Sequence, residues 1–265
     1  MGVNTRMTLI FGARCVDGVV LVGDRLVKSG RTVSFTMDKI RKCGNINWAV
    51  AGAAGIGTLF DEFLTLLPEY VIRHQQWINY QNAKLEHDRE ETFGNTPNAP
   101  EPPYYTYSVE DFKHNCAELM ADMRKRYSFA FENPNKWCEL QVLIGINTLS
   151  EAKLYYMDSE SILPAEVPES VFIGQEDMCE VFRKCWNQSM TIKQAAQLGA
   201  FTIKYVELDK ISDTVGVGVN QPQIWYIPDG SDPRELVGLE LSTLIQQVDR
   251  EKDLVYRKLH SLFRS

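Results

Sequence analysis

The stretch "TLIFGARCVDGVVLVGDR", from Thr8 to Arg25, decides the fold of this chain. It predicts two strands, Thr8–Val16 and Val19–Arg25, because apolar residues fill both runs. The Asp17-Gly18 pair between them is a preferred hairpin turn. The first strand begins at a threonine with only seven residues before it. That position raises the question of whether Thr8 does more than favour a strand.

Composition and charge narrow the classes of function. The chain has 265 residues, of which 44% are hydrophobic, so it can bury one large core or two smaller ones. A net charge of −7 does not favour a nucleic-acid-binding surface. No apolar run has the length of a membrane span, and the first residues do not resemble a secretory signal. We therefore expect a soluble cytoplasmic protein with neither nucleic acid nor membrane as a partner.

Cysteines and histidines are scattered along the chain. The six cysteines form no C-x-x-C pair, and the four histidines form no H-E-x-x-H cluster. Cysteines spaced in this way are usually buried, reduced thiols. We accordingly predict no metal site and no cofactor.

Apolar periodicity predicts the remaining elements. A strand at 47–51 is expected to end in a turn of small residues at 52–55, and the helical period begins at Ile56. The polar, proline-rich stretch 75–108 predicts a surface insertion. Further strands are predicted at 32–35, 39–43, 140–146, 153–157 and 171–174, with a hairpin of 215–219 and 223–227. Further helices are predicted around 112–123, at 191–208 with Thr191 as the N-cap, and at about 234–263.

The order of the elements favours an α+β fold. Strands, two helices, strands, two helices and strands follow one another in blocks, which argues for stacked layers and against an alternating parallel sheet. We predict a single domain over residues 8–265, carrying the 75–108 insertion and the long C-terminal helix. Residues 1–7 are interpreted as a leader that is removed, or as a misassigned start.

A threonine at the very end of a chain can carry out nucleophilic catalysis alone. Its hydroxyl attacks a carbonyl while its own α-amine, with a pKa of roughly 7.7–8.0, accepts the proton. Thr8 gains that amine only when Met1–Met7 are absent. Two routes remain open: self-cleavage before Thr8, or translation from Met7 followed by removal of that methionine.

Two charged residues are candidates to support Thr8. A lysine near the hydroxyl and amine would lower the pKa of both, and Lys39 stands at the head of a predicted strand. Asp24, at the end of the second strand, could hold that lysine in an ion pair. Each residue also has an ordinary role available, as a solvated lysine and as a turn cap.

The motifs resemble those of a known family when they are taken in order. The stretch 8–25, followed by "DKIRK" and "WAVAGAAGIGTLFDEF", resembles the proteasome β-subunit family, and is closest to its HslV-type bacterial peptidases. "ELDKISD", at 207–213, resembles the acid-x-x-Ser pattern of that family. The resemblance covers most of the chain apart from 75–108 and the C-terminal helix. It implies a four-layer αββα sandwich of the N-terminal-nucleophile hydrolase class.

The resemblance also assigns roles to residues. Thr8 would be the nucleophile, Lys39 would tune its pKa and Asp24 would orient Lys39. Asp209 and Ser212 would bond around the α-amine, and the Gly52 amide would donate to the oxyanion. The residues that would line the substrate pocket are Val27, Lys28, Met37, Val50 and Ala54.

Three positions depart from the pattern of the family. Met7 and Asp213 replace glycines, and Gln175 replaces a supporting serine. Three functions follow: a threonine peptidase or amidohydrolase, a non-catalytic scaffold or ring subunit, and a peptide-ligating transpeptidase. The first is preferred. By resemblance, the partners are a peptide or unfolded-protein substrate, a homo-oligomeric ring of this chain and an ATPase.

Overall fold

The computed structural model describes residues 8–29, 33–43, 46–55, 57–70, 109–128, 140–148, 151–159, 163–174, 179–208 and 221–262. The strands are β1 (Leu9–Cys15), β2 (Gly18–Gly23), β3 (Leu26–Ser29), β4 (Val33–Thr36), β5 (Ile40–Cys43), β6 (Ile46–Gly55), β7 (Leu140–Asn147), β8 (Ala152–Asp158), β9 (Ala165–Glu166), β10 (Ser170–Gly174), β11 (Gln223–Pro228) and β12 (Arg234–Glu235). The helices are α1 (57–70), α2 (Val109–Arg126), α3 (Glu180–Arg183), α4 (Ile192–Leu208) and α5 (Gly238–Leu262).

Two antiparallel sheets form the centre of the molecule. The first has the strand order β10-β1-β2-β11-β12, the second has the order β5-β6-β7-β8-β9, and β3 and β4 form a separate pair. Helices α4 and α5 pack on the outer face of the first sheet, and α1 and α2 pack on the outer face of the second. The predicted α+β fold with αββα layers is confirmed.

Alternation along β1 shows why the layers form. Leu9 and Phe11 are buried against the helices, whereas Ile10 is buried between the two sheets. Side chains of a strand point alternately to its two faces, so a strand buried on both faces must be apolar throughout. Burial of each such large side chain stabilises the fold by roughly 1.5–3 kcal/mol.

The predicted hairpin of β1 and β2 is present with a shifted turn. Cys15 pairs with Gly18, so Val16 and Asp17 form the turn and Gly18 opens β2. A side chain at Gly18 would lie 2.3 Å from the Ile227 carbonyl oxygen, which only glycine avoids. The strand ends at Gly23, which leaves Asp24 just beyond it.

The turn predicted at 52–55 is wrong, because β6 continues through Gly55. Gly52 pairs with Ile40 on one side and with Leu143 on the other, in the middle of the second sheet. A Cβ at Gly52 would lie 3.0 Å from the Ile40 side chain and 3.1 Å from that of Ile10. The small residues therefore let the two sheets approach each other within a continuous strand.

The predicted cap of α4 is confirmed. The Gln194 N–H donates to the Thr191 hydroxyl at 3.3 Å, and the Thr191 N–H donates to Gln194 Oε1 at 2.9 Å. This reciprocal arrangement is a capping box. The strand predicted at 215–219 and the insertion at 75–108 lie outside the described residues; the predicted hairpin partner of the former, β11, pairs with β2 and β12.

None of the helices in the described part of the chain combines the length and the apolar character needed to cross a bilayer.

Candidate active site

Thr8 lies at the entrance to β1, next to the end of β10. It is only 6% exposed, although it is polar and immediately precedes the first strand. Leu9, the next residue, pairs with Gly174. Thr8 thus lies at the edge of the first sheet where β1 begins and β10 ends, and pairing of Leu9 with Gly174 fixes the backbone beside it.

Asp24 ties the backbone beside Thr8 to a lysine. Its Oδ1 accepts a hydrogen bond from the Leu9 N–H at 2.8 Å, and its own N–H donates to the Leu9 carbonyl at 3.0 Å. Its Oδ2 accepts from Lys39 Nζ, also at 2.8 Å. Asp24 is fully buried, and one carboxylate therefore links the residue after Thr8 to a cation.

Lys39 is buried as well, with 5% of its surface exposed. It lies immediately before β5, and its ammonium donates both to Asp24 and to the Leu26 carbonyl at 2.5 Å. Burial lowers the pKa of Lys39 from its usual 10.5, while the charge and hydrogen bond of Asp24 act in the opposite direction. The lowered pKa means that burial makes the charged form costly despite its partner.

A buried ion pair of this kind is weak evidence for stability. Desolvation of two charges usually offsets most of their attraction, and an apolar pair of similar size is often as stable. A lysine with a shifted pKa, held by a specific carboxylate, is instead typical of functional sites. Asp24 is thus paired with Lys39 at the start of β5 and bonded to the backbone of Leu9, the residue after Thr8.

Gly174 holds the other side of Thr8. Its φ is +89°, a region that L-residues rarely adopt. A Cβ at this position would lie 1.9 Å from the Thr8 carbonyl oxygen. Its N–H donates to Gln141 Oε1 at 2.9 Å, which anchors it to β7 of the second sheet. The Thr8 backbone is therefore set against a residue that must be glycine.

Gly174→Ala is expected to displace Thr8. The added methyl group requires both a strained φ and movement of the Thr8 carbonyl, at a cost of roughly 3 kcal/mol of unfolding free energy. Urea denaturation measures this loss. Gly199→Ala, a helical glycine against Phe11 and Val22, is the control for crowding without a positive φ. A Gly174→Ala protein as stable as wild type would contradict this placement of Thr8.

The predicted oxyanion donor, Gly52, lies within a strand. The expectation of an unhindered amide at a turn does not match this position, because Gly52 has ladder partners on both sides. The end of β6 approaches Gly174, the neighbour of Thr8: a Cβ at Gly174 would lie 3.3 Å from the Ala54 Cβ. The oxyanion role of Gly52 stays a prediction, but the turn that was expected to leave its amide free is not present.

The predicted pocket residues are distributed over two strands, β3 and β6, and the loop before β5. Val50 and Ala54 are buried in the apolar cluster between the sheets. Met37 is half-buried and its N–H donates to the Arg25 carbonyl. Val27 and Lys28 lie in β3, opposite β4. Of these five residues, Ala54 is the one with a described approach to Gly174, the last residue of β10. The pocket assignment stays a prediction.

Asp209 and Ser212 lie outside the described residues, as do Met7, Gln175 and Asp213. Helix α4 ends at Leu208, directly before this segment. The roles assigned to Asp209 and Ser212 around the α-amine therefore stay predictions.

Two residues of the site were not found from the sequence. Gln223, at the start of the apolar strand β11, bonds to the backbone of Ile40 beside Lys39. From the sequence, Gly174 is predicted only to end a strand. A polar residue heading an otherwise apolar strand is the one signal that points to Gln223. No sequence pattern shows that Gly174 faces Thr8, because the two are far apart in the chain.

Within the described ranges, no three His, Cys, Asp or Glu side chains are grouped to hold a metal ion.

Comparison with known proteins gives structural matches only. No family model and no curated protein matches the chain. Anbu (ancestral beta-subunit) from Yersinia bercovieri is 12% identical, with a TM-score of 0.64 and 97% of each chain covered. The Anbu (Gly-1) mutant from Hyphomicrobium sp. strain MC1 is 12% identical, with a TM-score of 0.66, covering 96% of this chain and 97% of that one. The helical assembly of the Anbu complex from Pseudomonas aeruginosa is 13% identical, with a TM-score of 0.67 and 96% of each chain covered.

These matches correct the family resemblance. The expectation of a proteasome β-subunit of the HslV type is wrong, because the similar structures are Anbu proteins. Within the described residues, the motifs that carried the resemblance form the β1–β2 hairpin, the start of β5, strand β6, the start of α1 and the end of α4. Those are elements of the shared proteasome-like N-terminal-nucleophile fold, so they do not separate its groups. At 12% and 13% identity, the likeness shows the fold alone.

Proposed function

We propose that this chain is an amidohydrolase that cleaves peptide bonds with Thr8 as its N-terminal nucleophile. One observation carries the proposal: the buried Asp24 carboxylate joins the Leu9 N–H, directly after Thr8, to the buried Lys39 ammonium. Burial of both charges carries a desolvation cost, and an ion pair retained beside a candidate nucleophile despite that cost is best explained by chemistry at that residue.

The reaction divides into two steps. The Thr8 hydroxyl oxygen attacks the carbonyl carbon of the substrate while the Thr8 α-amine takes the hydroxyl proton. The C–N bond then breaks, the leaving amine receives that proton, and an ester joins the substrate acyl group to Thr8. Water attacks the ester in the same way, which releases the acid and restores the hydroxyl.

Lys39 and Asp24 support both steps electrostatically. A cation close to Thr8 stabilises the alkoxide and the neutral amine, which lowers the pKa of both groups. Asp24 accepts the bond from Lys39 and, at the same time, holds the strand that begins at Leu9. The pair therefore acts as a preorganised charge, and no reorganisation is needed during the reaction.

The mechanism requires that residues 1–7 are absent from the active form. Translation from Met7 followed by methionine removal exposes Thr8, and so does self-cleavage before Thr8. Both routes give the same active species, with a free amine and a hydroxyl on one residue.

We also infer that the protein assembles with itself. One similar solved structure is described as a helical assembly of the Anbu complex, which supports self-assembly and makes an open helical arrangement an alternative to the predicted closed ring. Sedimentation velocity distinguishes these arrangements from a 30.3 kDa monomer. A purely monomeric protein at micromolar concentration would contradict the inference. The ATPase partner and the unfolded-protein substrate stay predictions.

A peptide epoxyketone tests the proposed chemistry. This electrophile closes a ring only with a hydroxyl and an amine on neighbouring carbons, as on a terminal threonine. Intact mass spectrometry is expected to show one adduct per chain, and peptide mapping is expected to place it on Thr8. A Thr65→Ala protein, altered at an exposed threonine of α1, should form the same adduct. An unmodified Thr8 at saturating reagent would favour the non-catalytic scaffold.

A further inference from the structure

We propose that Gln223 is a positioning residue that holds Lys39 against Asp24 by clamping the backbone of Ile40. The inference rests on the proposed function, because it assigns Gln223 to the same reaction. It concerns a residue on β11, far in sequence from both members of the ion pair.

The clamp consists of two hydrogen bonds from one side chain. Gln223 Oε1 accepts from the Ile40 N–H at 2.9 Å, and Gln223 Nε2 donates to the Ile40 carbonyl at 2.7 Å. Gln223 is only 1% exposed, and both bonds are buried. An amide side chain is one of the few that can satisfy an N–H and a carbonyl together.

Ile40 needs this partner because β5 is an edge strand. It lies opposite Gly52 in the ladder with β6, which among the described strands is the one neighbour of β5 in its sheet. Alternate residues of an antiparallel edge strand turn their N–H and carbonyl away from that neighbour. In the buried space between the sheets, such groups must find another partner. Gln223 reaches them from the first sheet.

Gln223 connects the residue next to Asp24 with the residue next to Lys39. Gln223 pairs in the ladder with Gly23, which directly precedes Asp24, and it bonds to Ile40, which directly follows Lys39. The Ile40 side chain is also confined, because a Cβ at Gly23 would lie 3.1 Å from it. The backbone on which Lys39 stands is thus fixed relative to the strand that presents Asp24.

The chemistry explains why this fixation matters. Lys39 is buried and its ammonium donates to both Asp24, at 2.8 Å, and the Leu26 carbonyl, so its side chain has little freedom to compensate for a shift of its backbone. A displacement of about 1 Å in a catalytic group can slow a reaction roughly 100-fold. Loss of the clamp should therefore affect the rate at Thr8 more than it affects the stability of the fold.

The test compares Gln223→Met with control variants on the same strand. Gln223→Met keeps the volume and removes both bonds; Gln223→Glu keeps the length and the acceptor. Ile227→Val and Ile227→Ala, at a buried position on the same face of β11, lower stability without touching the clamp. The measurements are the rate of epoxyketone adduct formation and the melting temperature of each protein.

We expect Gln223→Met to form the adduct about 10- to 100-fold more slowly than an Ile227 variant of equal melting temperature. The rate of adduct formation by Gln223→Glu should lie between those of wild type and Gln223→Met. If Gln223→Met does not fold, Gln223→Glu is used in its place. Rates that follow melting temperature alone for both Gln223 variants would overturn the proposal.

A crystallographic measurement separates this inference from the proposed function. If the wild-type protein forms no adduct, the proposed function fails, but the Lys39 Nζ–Asp24 distance can still be compared between crystals of wild type and Gln223→Met. A broken contact in the variant supports the positioning role. An unchanged contact overturns it.

Discussion

Replacing Thr8 with alanine is expected to lower peptide hydrolysis by about 10³-fold or more, because both covalent steps need its hydroxyl. Each protein is translated from Met7, so that ordinary methionine removal exposes residue 8 without self-cleavage. Initial rates on a fluorogenic peptide amide measure the effect. Thr8 is a single buried side chain at the entrance to β1, and its truncation should leave the fold intact.

Two variants control this experiment. Thr8→Ser keeps a hydroxyl beside the α-amine and should keep measurable turnover. Thr65→Ala removes an exposed hydroxyl on α1 and should behave as wild type. Undiminished hydrolysis by Thr8→Ala, at equal stability, would exclude Thr8 as the nucleophile.

Replacing Lys39 with methionine is expected to slow turnover by about 10²–10³-fold, as removal of one preorganised electrostatic group does in other enzymes. The same change should lower the unfolding free energy by about 3–5 kcal/mol, because it leaves the buried Asp24 carboxylate without its cation. Peptide hydrolysis measures the first effect and urea denaturation the second.

The double variant Asp24→Asn, Lys39→Met separates the two effects. It removes both charges, and the amide oxygen of the introduced asparagine can still accept from the Leu9 N–H, so much of the lost stability should return. The lost activity should not return, since the proposed electrostatic role needs the Lys39 cation and this variant lacks it. Recovery of activity together with stability would show that the pair only maintains the fold.

The pH dependence of stability reports on Lys39 directly. Burial lowers its pKa in the folded protein below 10.5, so between that lowered value and 10.5 the unfolded chain binds more protons than the folded one. The contribution of Lys39 to wild-type stability should therefore rise with pH through this window, which makes the comparison with Lys39→Met the informative one. Lys39→Met should lack that rise. Equal pH profiles for the two proteins would contradict the lowered pKa.

Local patterns predicted most of the first sheet and all the described helices longer than one turn. The apolar runs of β1 and β2, and the capping box at Thr191, follow from the residues themselves. The failure at β6 has a physical cause. A run of glycine and alanine is typical of a turn, but here Ile10 and Ile40 occupy the space that the missing side chains leave.

Long-range contacts explain what local patterns missed. Asp24 and Lys39 entered the predicted site through spacing and resemblance, whereas Gln223 and Gly174 belong to it only through pairing between distant strands. Gly174 must be glycine because of the nearby Thr8 carbonyl, but in the sequence it looks like any other glycine at the end of a strand. The family assignment failed for a related reason, since its motifs are those of the fold.

The most direct test of the central claim is to measure which form of the chain is active, the one that retains residues 1–7 or the one that begins at Thr8. Protein translated from Met1 is separated into chains that retain residues 1–7 and chains that begin at Thr8, with intact mass identifying each. Our account predicts that peptide hydrolysis and epoxyketone labelling occur only in chains that begin at Thr8. Equal hydrolysis by chains that keep residues 1–7 would contradict it.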